Sequence, residues 1–146
     1  CLLGGALLLG GAFTLDGKPQ QDRVDWQPLS EQAIALALAQ NKRVFVDVTA
    51  DWCITCKANK FNVLLRDDVQ QALSAPDVVA LRGDWSRPSN TIASFLRQRG
   101  SVAIPFNQIY GPGLTDGEIL SPLLDRSTLL ATLAQAGIAP SQGETK

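Results

Sequence analysis

The apolar run at residues 43–49 is the clearest structural signal in the chain, and Asp47 is the one acidic residue inside it. A short apolar run of this kind is typical of a strand covered on both faces. The pattern before it predicts a helix over residues 31–40, with Ser30 as its N-cap and Asn41 as its C-terminal stop. The chain therefore starts its folded part with a helix followed by a buried strand.

Downstream of residue 50 the pattern changes to helical spacing, with Phe61, Leu64 and Leu65 as the expected core-facing stripe of the next helix. The remaining predicted elements are a short helix carrying Val69, Ala72 and Leu73, strands at residues 78–81, 106–110 and 118–120, a helix that Ser89 caps and Gly100 ends, and a last helix at residues 126–136. The order is β-α-β-α-β-β-α with an extra leading helix. It predicts an α/β fold with a mixed central sheet of about four strands and helices on both faces.

Composition places this pattern in one compact domain. The chain has 146 residues, of which 45% are hydrophobic and 18% charged, which is enough apolar side chain for a core. Its net charge is −1 and it contains no basic cluster. We therefore expect no nucleic-acid partner.

The two ends of the chain differ from this domain. Residues 1–13 carry no charge and are almost wholly Leu, Gly, Ala and Phe, but a membrane-spanning helix needs about 20 residues. We expect them to be the end of a transmembrane helix; a lipidated Cys1 or a signal-peptide remnant are the alternatives. The absence of Met is expected of a processed form or of part of a longer protein. We assign residues 14–25 to a linker, 26–138 to the domain and 139–146 to a flexible tail.

The segment WCITC at residues 52–56 carries the candidate chemistry. Two thiols separated by two residues can close a disulfide from the first turn of a helix. There the unpaired N–H groups and the helix dipole favour a thiolate, which is the form that attacks disulfides. A preceding strand and a following helix are the setting in which this spacing indicates a redox motif.

Other uses of the two thiols can be tested by counting. Structural zinc needs four Cys or His ligands, and the chain has three Cys and no His. Four-Cys iron–sulfur ligation fails for the same reason, and covalent haem attachment needs a His where Lys57 stands. Two-coordinate Cu(I) remains open, although Met and His are absent as auxiliary ligands. A passive structural disulfide also remains open, but a link across two residues removes little chain entropy. We expect no metal and no cofactor.

Position on the helix distinguishes the two thiols. Cys53 comes first, nearest the helix end and solvent, and is the expected nucleophile. Cys56, one turn deeper, would resolve a mixed disulfide by attacking Cys53. Six residues before Cys53, the carboxyl of Asp47 lies in an apolar strand, and its burial should raise its pKa.

These motifs resemble the thioredoxin superfamily, and within it the C-terminal periplasmic domains of DsbD- and ScsB-type thiol:disulfide interchange proteins. The resemblance covers residues 26–137, and its motifs are ADWCITCK at residues 50–57, GDWS at residues 83–86, Ile92 and the pair Ile104-Pro105. It implies a thioredoxin-like fold. It also implies a buried acid at Asp47, close to the deeper thiol, and we assign this residue to proton shuttling for Cys56. The alternative is a strand-end Asp that reaches water or caps a neighbouring turn.

The same resemblance implies a substrate-docking surface. Pro105 would be a cis-proline facing the disulfide, and the Ile104 backbone would accept an incoming peptide as an extra strand. Trp52 would shield the thiols and form part of the surface; ordinary packing is its alternative role. Lys57 and Lys60 depart from some relatives, which carry acidic residues here, and they favour the thiolate if either ammonium approaches the sulfurs. Two solvated lysines on an exposed helix face are the alternative.

The residues between the cysteines, Ile54 and Thr55, include no His that would stabilise a thiolate strongly. We therefore expect an intermediate-to-reducing pair, on the order of −200 to −270 mV. The resemblance implies a protein-disulfide reductase domain in the bacterial periplasm, anchored to the inner membrane through the N-terminal segment. It would take electrons from a membrane electron-transfer domain and pass them to periplasmic thiol–disulfide partners. The alternatives are a stand-alone membrane-anchored reductase, oxidant or isomerase, and a non-enzymatic Cu(I)-binding or redox-sensing module.

Overall fold

The computed structural model describes residues 21–138. Within that range the chain forms five strands and five α-helices. The strands are β1 (Gln27–Pro28), β2 (Arg43–Thr49), β3 (Val78–Asp84), β4 (Phe106–Gly111) and β5 (Leu114–Ile119). The helices are α1 (Glu31–Ala39), α2 (Ile54–Asn59) continued by a π-helical turn (Lys60–Leu64), α3 (Asp67–Leu73), α4 (Asn90–Gln98) and α5 (Arg126–Ala136). None of the helices in residues 21–138 has the length and apolar character needed to cross a membrane.

The five strands form one mixed sheet in the order β1-β3-β2-β4-β5. β2 lies in its centre, parallel to β3 and antiparallel to β4, while β1 pairs with β3 in parallel and β5 with β4 antiparallel. The predicted mixed sheet is confirmed with one strand more than expected. The extra strand, β1, has two residues and is too short to leave a hydrophobic pattern.

Helices cover both faces of the sheet, as predicted. One face packs Phe45, Ala80 and Ile109 against the π-helical turn, α3 and α5. The other face packs the alternate residues of β2, including Val44 and Val46, against α1 and α4. Because side chains alternate along a strand, Asp47 points to the same face as Phe45. That is the face from which the helix after the WCITC segment also contributes its buried residues.

The helix ends agree closely with the sequence signals. The Ser30 hydroxyl accepts a hydrogen bond from the Ala33 N–H, and the Ser89 hydroxyl accepts one from the Ile92 N–H. Asn41, which follows the C-cap residue Gln40 of α1, adopts a positive φ of 60°, which is the geometry expected of a C-terminal stop.

The predicted core stripe of the redox helix is wrong at Phe61, which is 66% exposed. Cys56, Asn59 and Val63 are buried instead, with the i, i+3, i+7 spacing of one helix face. Phe61 does not lie on that face. The π-helical turn, closed by a hydrogen bond of 2.8 Å from the Leu65 N–H to the Lys60 carbonyl, accompanies the burial of both Leu64 and Leu65.

Residues 1–13 and 139–146 and the first part of the linker, for which the sequence predicts an apolar membrane segment, a flexible tail and a connecting segment, lie outside the described residues. Of the linker residues that are described, Val24 is 7% exposed and belongs to the core cluster around Phe45. The Asp22 carboxylate accepts hydrogen bonds from the Val24 N–H and the Trp26 indole. Residues 22–26 are thus packed against the domain.

The turn between β4 and β5 yields a test of the packing against α5. A Cβ added to the buried Gly111 would collide with the backbone carbonyl of Ala136, which belongs to α5 and has little freedom to move. Gly111→Ala should therefore lower the free energy of unfolding by about 1–3 kcal/mol. Gly137→Ala is the control, because its Cβ would meet the flexible side chain of Arg43. Urea unfolding measures both variants, and equal stabilities would contradict this packing.

Candidate active site

The two cysteines of the WCITC segment form a disulfide at the start of α2. Cys53 is the N-cap residue of this helix, with extended backbone dihedrals, and its Sγ accepts a hydrogen bond of 3.1 Å from the Cys56 N–H. The first sulfur therefore lies at the helix N-terminus, where partial positive charge stabilises a thiolate. Both residues are 6% exposed, so their burial does not distinguish nucleophile from resolving thiol.

The disulfide lies between two loops that follow neighbouring parallel strands. The Trp85 N–H donates to the Thr49 carbonyl at 2.7 Å, and the Asp51 N–H donates to the Ser86 hydroxyl at 2.8 Å. The Trp52 indole N–H donates to the Trp85 carbonyl at 3.1 Å. These bonds hold the loop after β2 to the loop after β3, and thereby fix where α2 begins.

An open groove of about 540 Å³ adjoins the disulfide; its lining includes Trp52, Trp85, Pro88, Val102 and Ile104. Trp85 and Ile104 also pack against the two cysteines. Trp52 is 59% exposed although its indole is anchored. The Ile104–Pro105 peptide bond is cis, as the resemblance implied, and directly precedes β4. The site therefore offers apolar side chains and a cis-proline segment beside a buried disulfide.

Asp47 lies in the middle of the sheet, between two polar residues on the neighbouring strands. It is 4% exposed and pairs with Arg82 of β3 and Asn107 of β4 in register. The Arg82 Nε donates to Asp47 Oδ2 at 2.9 Å, and the Asn107 amide donates to Asp47 Oδ1 at 2.9 Å. Asn107 gives its other N–H to the Val46 carbonyl. Both neighbours thus present donors to the carboxylate.

The pKa of Asp47 is raised, in the direction predicted from its burial. Desolvation is the largest cause because a charged carboxylate loses its hydration inside the sheet. The positive charge of Arg82 and the hydrogen bonds from Arg82 and Asn107 act in the opposite direction, and the charge of Asp22 adds a small upward contribution. Asp47 is therefore a buried acid that neighbouring donors partly stabilise in its charged form.

A second, polar hollow of about 350 Å³ reaches Cys56. Its lining includes Cys56, Lys57, Lys60, Arg82 and Asp84. Arg82 is thus the residue that both lines the hollow shared with Cys56 and contacts Asp47.

The sequence prediction included Cys53, Cys56 and Asp47 but missed Arg82, Asn107 and Asn59. Arg82 had a detectable signal, since it follows the apolar residues of a predicted strand. Asn59, 3% exposed, donates to the Pro122 carbonyl at 2.8 Å and accepts from the Leu124 N–H at 3.0 Å. It attaches the redox helix to the loop before α5.

The comparisons with known proteins agree with this fold and site. A family model described as thioredoxin-like matches residues 25–112. The chain belongs to the thioredoxin-like family.

The curated relatives that the chain matches are thiol:disulfide interchange proteins. The chain is 29% identical over 115 residues to the thiol:disulfide interchange protein DsbD of Yersinia enterocolitica, and 28% identical over 114 residues to DsbD of Cronobacter sakazakii. Each match covers 68% of this chain and 20% of the relative, so the chain spans about a fifth of the length of these relatives. Together with the Cys53–Cys56 disulfide, this similarity supports thiol:disulfide oxidoreductase activity.

Solved structures show the same fold. The reduced C-terminal domain of DsbD from Neisseria meningitidis superposes with a TM-score of 0.57 at 23% identity, covering 73% of this chain and 92% of that domain. A thioredoxin from Thermus thermophilus gives a TM-score of 0.58 at 23% identity, covering 77% of this chain and 85% of that protein.

The raised pKa of Asp47 predicts a pH-dependent effect of Asp47→Asn. A carboxyl whose pKa is raised above its ordinary value of 3.8 contributes its stability at low pH and loses it as the pH rises through the folded-state pKa. The neutral variant lacks that loss. Its free energy of unfolding relative to wild type should therefore increase as the pH rises from about 3.8 through the folded-state pKa of Asp47, by about 1.4 kcal/mol for each unit by which that pKa is raised. Urea unfolding of the oxidised proteins tests this; a pH-independent difference would contradict it.

Proposed function

We propose that this domain is a thiol–disulfide oxidoreductase that relays electrons from a membrane-embedded transporter to periplasmic partner proteins through a reversible Cys53–Cys56 disulfide. The observation that carries the proposal is the disulfide at the N-terminus of α2, where the Cys56 N–H donates to Cys53 Sγ. A sulfur held in this way leaves readily as a thiolate and, once reduced, is available as a nucleophile.

The reaction of the reduced domain proceeds in two exchanges. The Cys53 thiolate attacks one sulfur of a partner disulfide, an S–S bond forms between the two proteins, and the partner's other sulfur leaves as a thiolate that takes up a proton. The Cys56 thiolate then attacks Cys53 Sγ, and the partner's second thiolate is released. Two electrons have passed to the partner and the Cys53–Cys56 disulfide is restored. A dithiol of the membrane domain reduces it again by the same steps in reverse.

Asp47 serves the second exchange as proton acceptor for Cys56. Two observations support this role: the raised pKa of the buried carboxyl, and Arg82, which lines the hollow at Cys56 and donates to Asp47. A carboxylate whose pKa is raised accepts a proton from a thiol more readily than an ordinary, solvated carboxylate does.

The direction of electron flow rests on the pair itself and on the relatives. Neither Ile54 nor Thr55 adds a cation beside the sulfurs, so we place the reduction potential at about −200 to −270 mV. An oxidising periplasm would keep such a pair oxidised unless a dedicated donor reduced it. The similarity to DsbD, named a thiol:disulfide interchange protein, supports an electron donor of this kind, which we place in the inner membrane. The uncharged, apolar composition of residues 1–13 supports a tether formed by that segment.

Cysteine variants test the exchange chemistry. Cys53→Ser should abolish the reduction of a disulfide-bonded model protein, because no nucleophile remains at the helix N-terminus. Cys56→Ser should instead accumulate a mixed disulfide through Cys53, since the resolving thiol is lost. Non-reducing gel electrophoresis and mass spectrometry detect the adduct. A Cys56→Ser variant that turns over like wild type, or a pair whose potential in glutathione buffers lies near −120 mV, would contradict the relay.

The groove beside the disulfide predicts a selective effect of Trp52→Ala. Trp52 is exposed and anchored to the Trp85 carbonyl, so it presents a fixed aromatic surface to a docking protein. Its removal should slow exchange with a protein disulfide by roughly tenfold or more, the loss expected for an aromatic contact residue, and leave exchange with dithiothreitol nearly unchanged. Leu36→Ala is the matched control, because Leu36 is 62% exposed on α1. Equal effects on both substrates would remove Trp52 from the docking surface.

A further inference from the structure

Arg82 is held in place from four sides. Its Nε donates to Asp47 at 2.9 Å, and its Nη1 lies 3.5 Å from Asp22 Oδ2. The guanidinium stacks on the Trp26 ring at 3.8 Å from the centroid. Its backbone carbonyl accepts a hydrogen bond from the Leu29 N–H at 3.1 Å. Such a side chain cannot change its partner without disturbing the segment that precedes and includes β1.

Asp22 is itself a fixed group. It accepts hydrogen bonds from the Trp26 indole at 2.9 Å and from the Gln70 amide at 3.1 Å, and its pKa is lowered although burial opposes this. Asp22 is therefore ionised at neutral pH. Two carboxylates, one in the sheet and one in the segment before β1, thus share a single guanidinium.

We propose that Arg82 is a positioning residue that stabilises the charged form of Asp47, and that Asp22 competes with Asp47 for it. The segment at residues 22–26 thereby adjusts the proton affinity of the acid that serves Cys56. The inference rests on the proposed function for the role of Asp47, but the competition itself concerns the ionisation of one carboxyl and can be measured without turnover.

The groups that face Asp47 change its proton affinity in opposite directions. Arg82 of β3 lowers its proton affinity by its charge and its hydrogen bond, and Asn107 of β4 does so by its hydrogen bond. Asp22 raises the affinity through its negative charge and by drawing on the same guanidinium. On the side of α2, Lys57 and Lys60 line the hollow with Arg82 and Cys56. Both lysines are unchanged in every variant described below.

The first variant is Arg82→Gln, with Arg43→Gln as its control. Arg43 is also a half-buried arginine on a central strand, and it pairs with Asp77 at the opposite end of the β2–β3 ladder. The pKa of Asp47, read from its carboxyl carbon by NMR in the reduced domain, should rise by about one pH unit or more in Arg82→Gln. Arg43→Gln should leave it unchanged. An unchanged pKa in folded Arg82→Gln would overturn the proposal.

The second variant, Asp22→Asn, has the opposite expected sign and decides the matter if Arg82→Gln does not fold. Loss of the Asp22 charge leaves the guanidinium to Asp47, so the pKa of Asp47 should fall. A purely structural role of this segment would not produce shifts of opposite sign in the two variants. A pKa of Asp47 that stays constant or rises in Asp22→Asn would overturn the competition.

Disulfide exchange measured on the same samples separates this inference from the proposed function. The wild-type domain could fail to exchange with a disulfide-bonded model protein while the variants shift the pKa of Asp47 as expected. That result would contradict the proposed function and leave the competition between Asp22 and Asp47 supported. If the wild-type domain exchanges but neither variant shifts the pKa of Asp47, the proposed function is supported and the competition is contradicted. If the proposed function and the competition both hold, the pH midpoint of the exchange rate should move upward in Arg82→Gln and downward in Asp22→Asn.

Discussion

The pairing of β2 with both β3 and β4 is the constraint on which the rest of the site depends. Register places Asp47 between Arg82 and Asn107, so the buried carboxylate finds its donors on the two adjacent strands. The parallel partner, β3, ends beside β2, and the loops that follow them hold each other through Thr49 and Trp85. The disulfide begins α2 directly after that junction. A slip of one residue would send Asp47 to the opposite face, away from the redox helix.

The charge arrangement around the sheet follows from the same geometry. A lone carboxylate in this position would be costly to ionise, and a lone arginine equally costly to bury. The two groups offset each other only partly, since the pKa of Asp47 remains raised. That imbalance suits the proton exchange that we propose for Asp47, because a fully stabilised ion pair would hold its charge state fixed.

The local sequence pattern was sufficient to predict most of the fold and the two cysteines of the disulfide. Strand β2, the caps Ser30 and Ser89, and the two cysteines are encoded by neighbours in sequence, so they could be predicted. Phe61 could not be placed, because the phase of its helix is set by which face meets the sheet. Arg82 has a visible signal as a cation after an apolar strand, but its partners lie 35 and 60 residues away. Register, which brings them together, is a property of the assembled sheet.

Asn59 has a consequence for what constitutes the working unit of this protein. Its side chain bonds both the Pro122 carbonyl and the Leu124 N–H, so the helix that carries the cysteines is fastened to a loop 63 residues further along. Residues 25–112, which the family model matches, include both thiols and the buried acid but stop short of that fastening. The segment that carries the thiols and the buried acid is therefore shorter than the segment needed to hold the redox helix in place. A fragment trimmed to the residues that the family model matches would keep both thiols and the buried acid and lose the support that fastens the end of the redox helix.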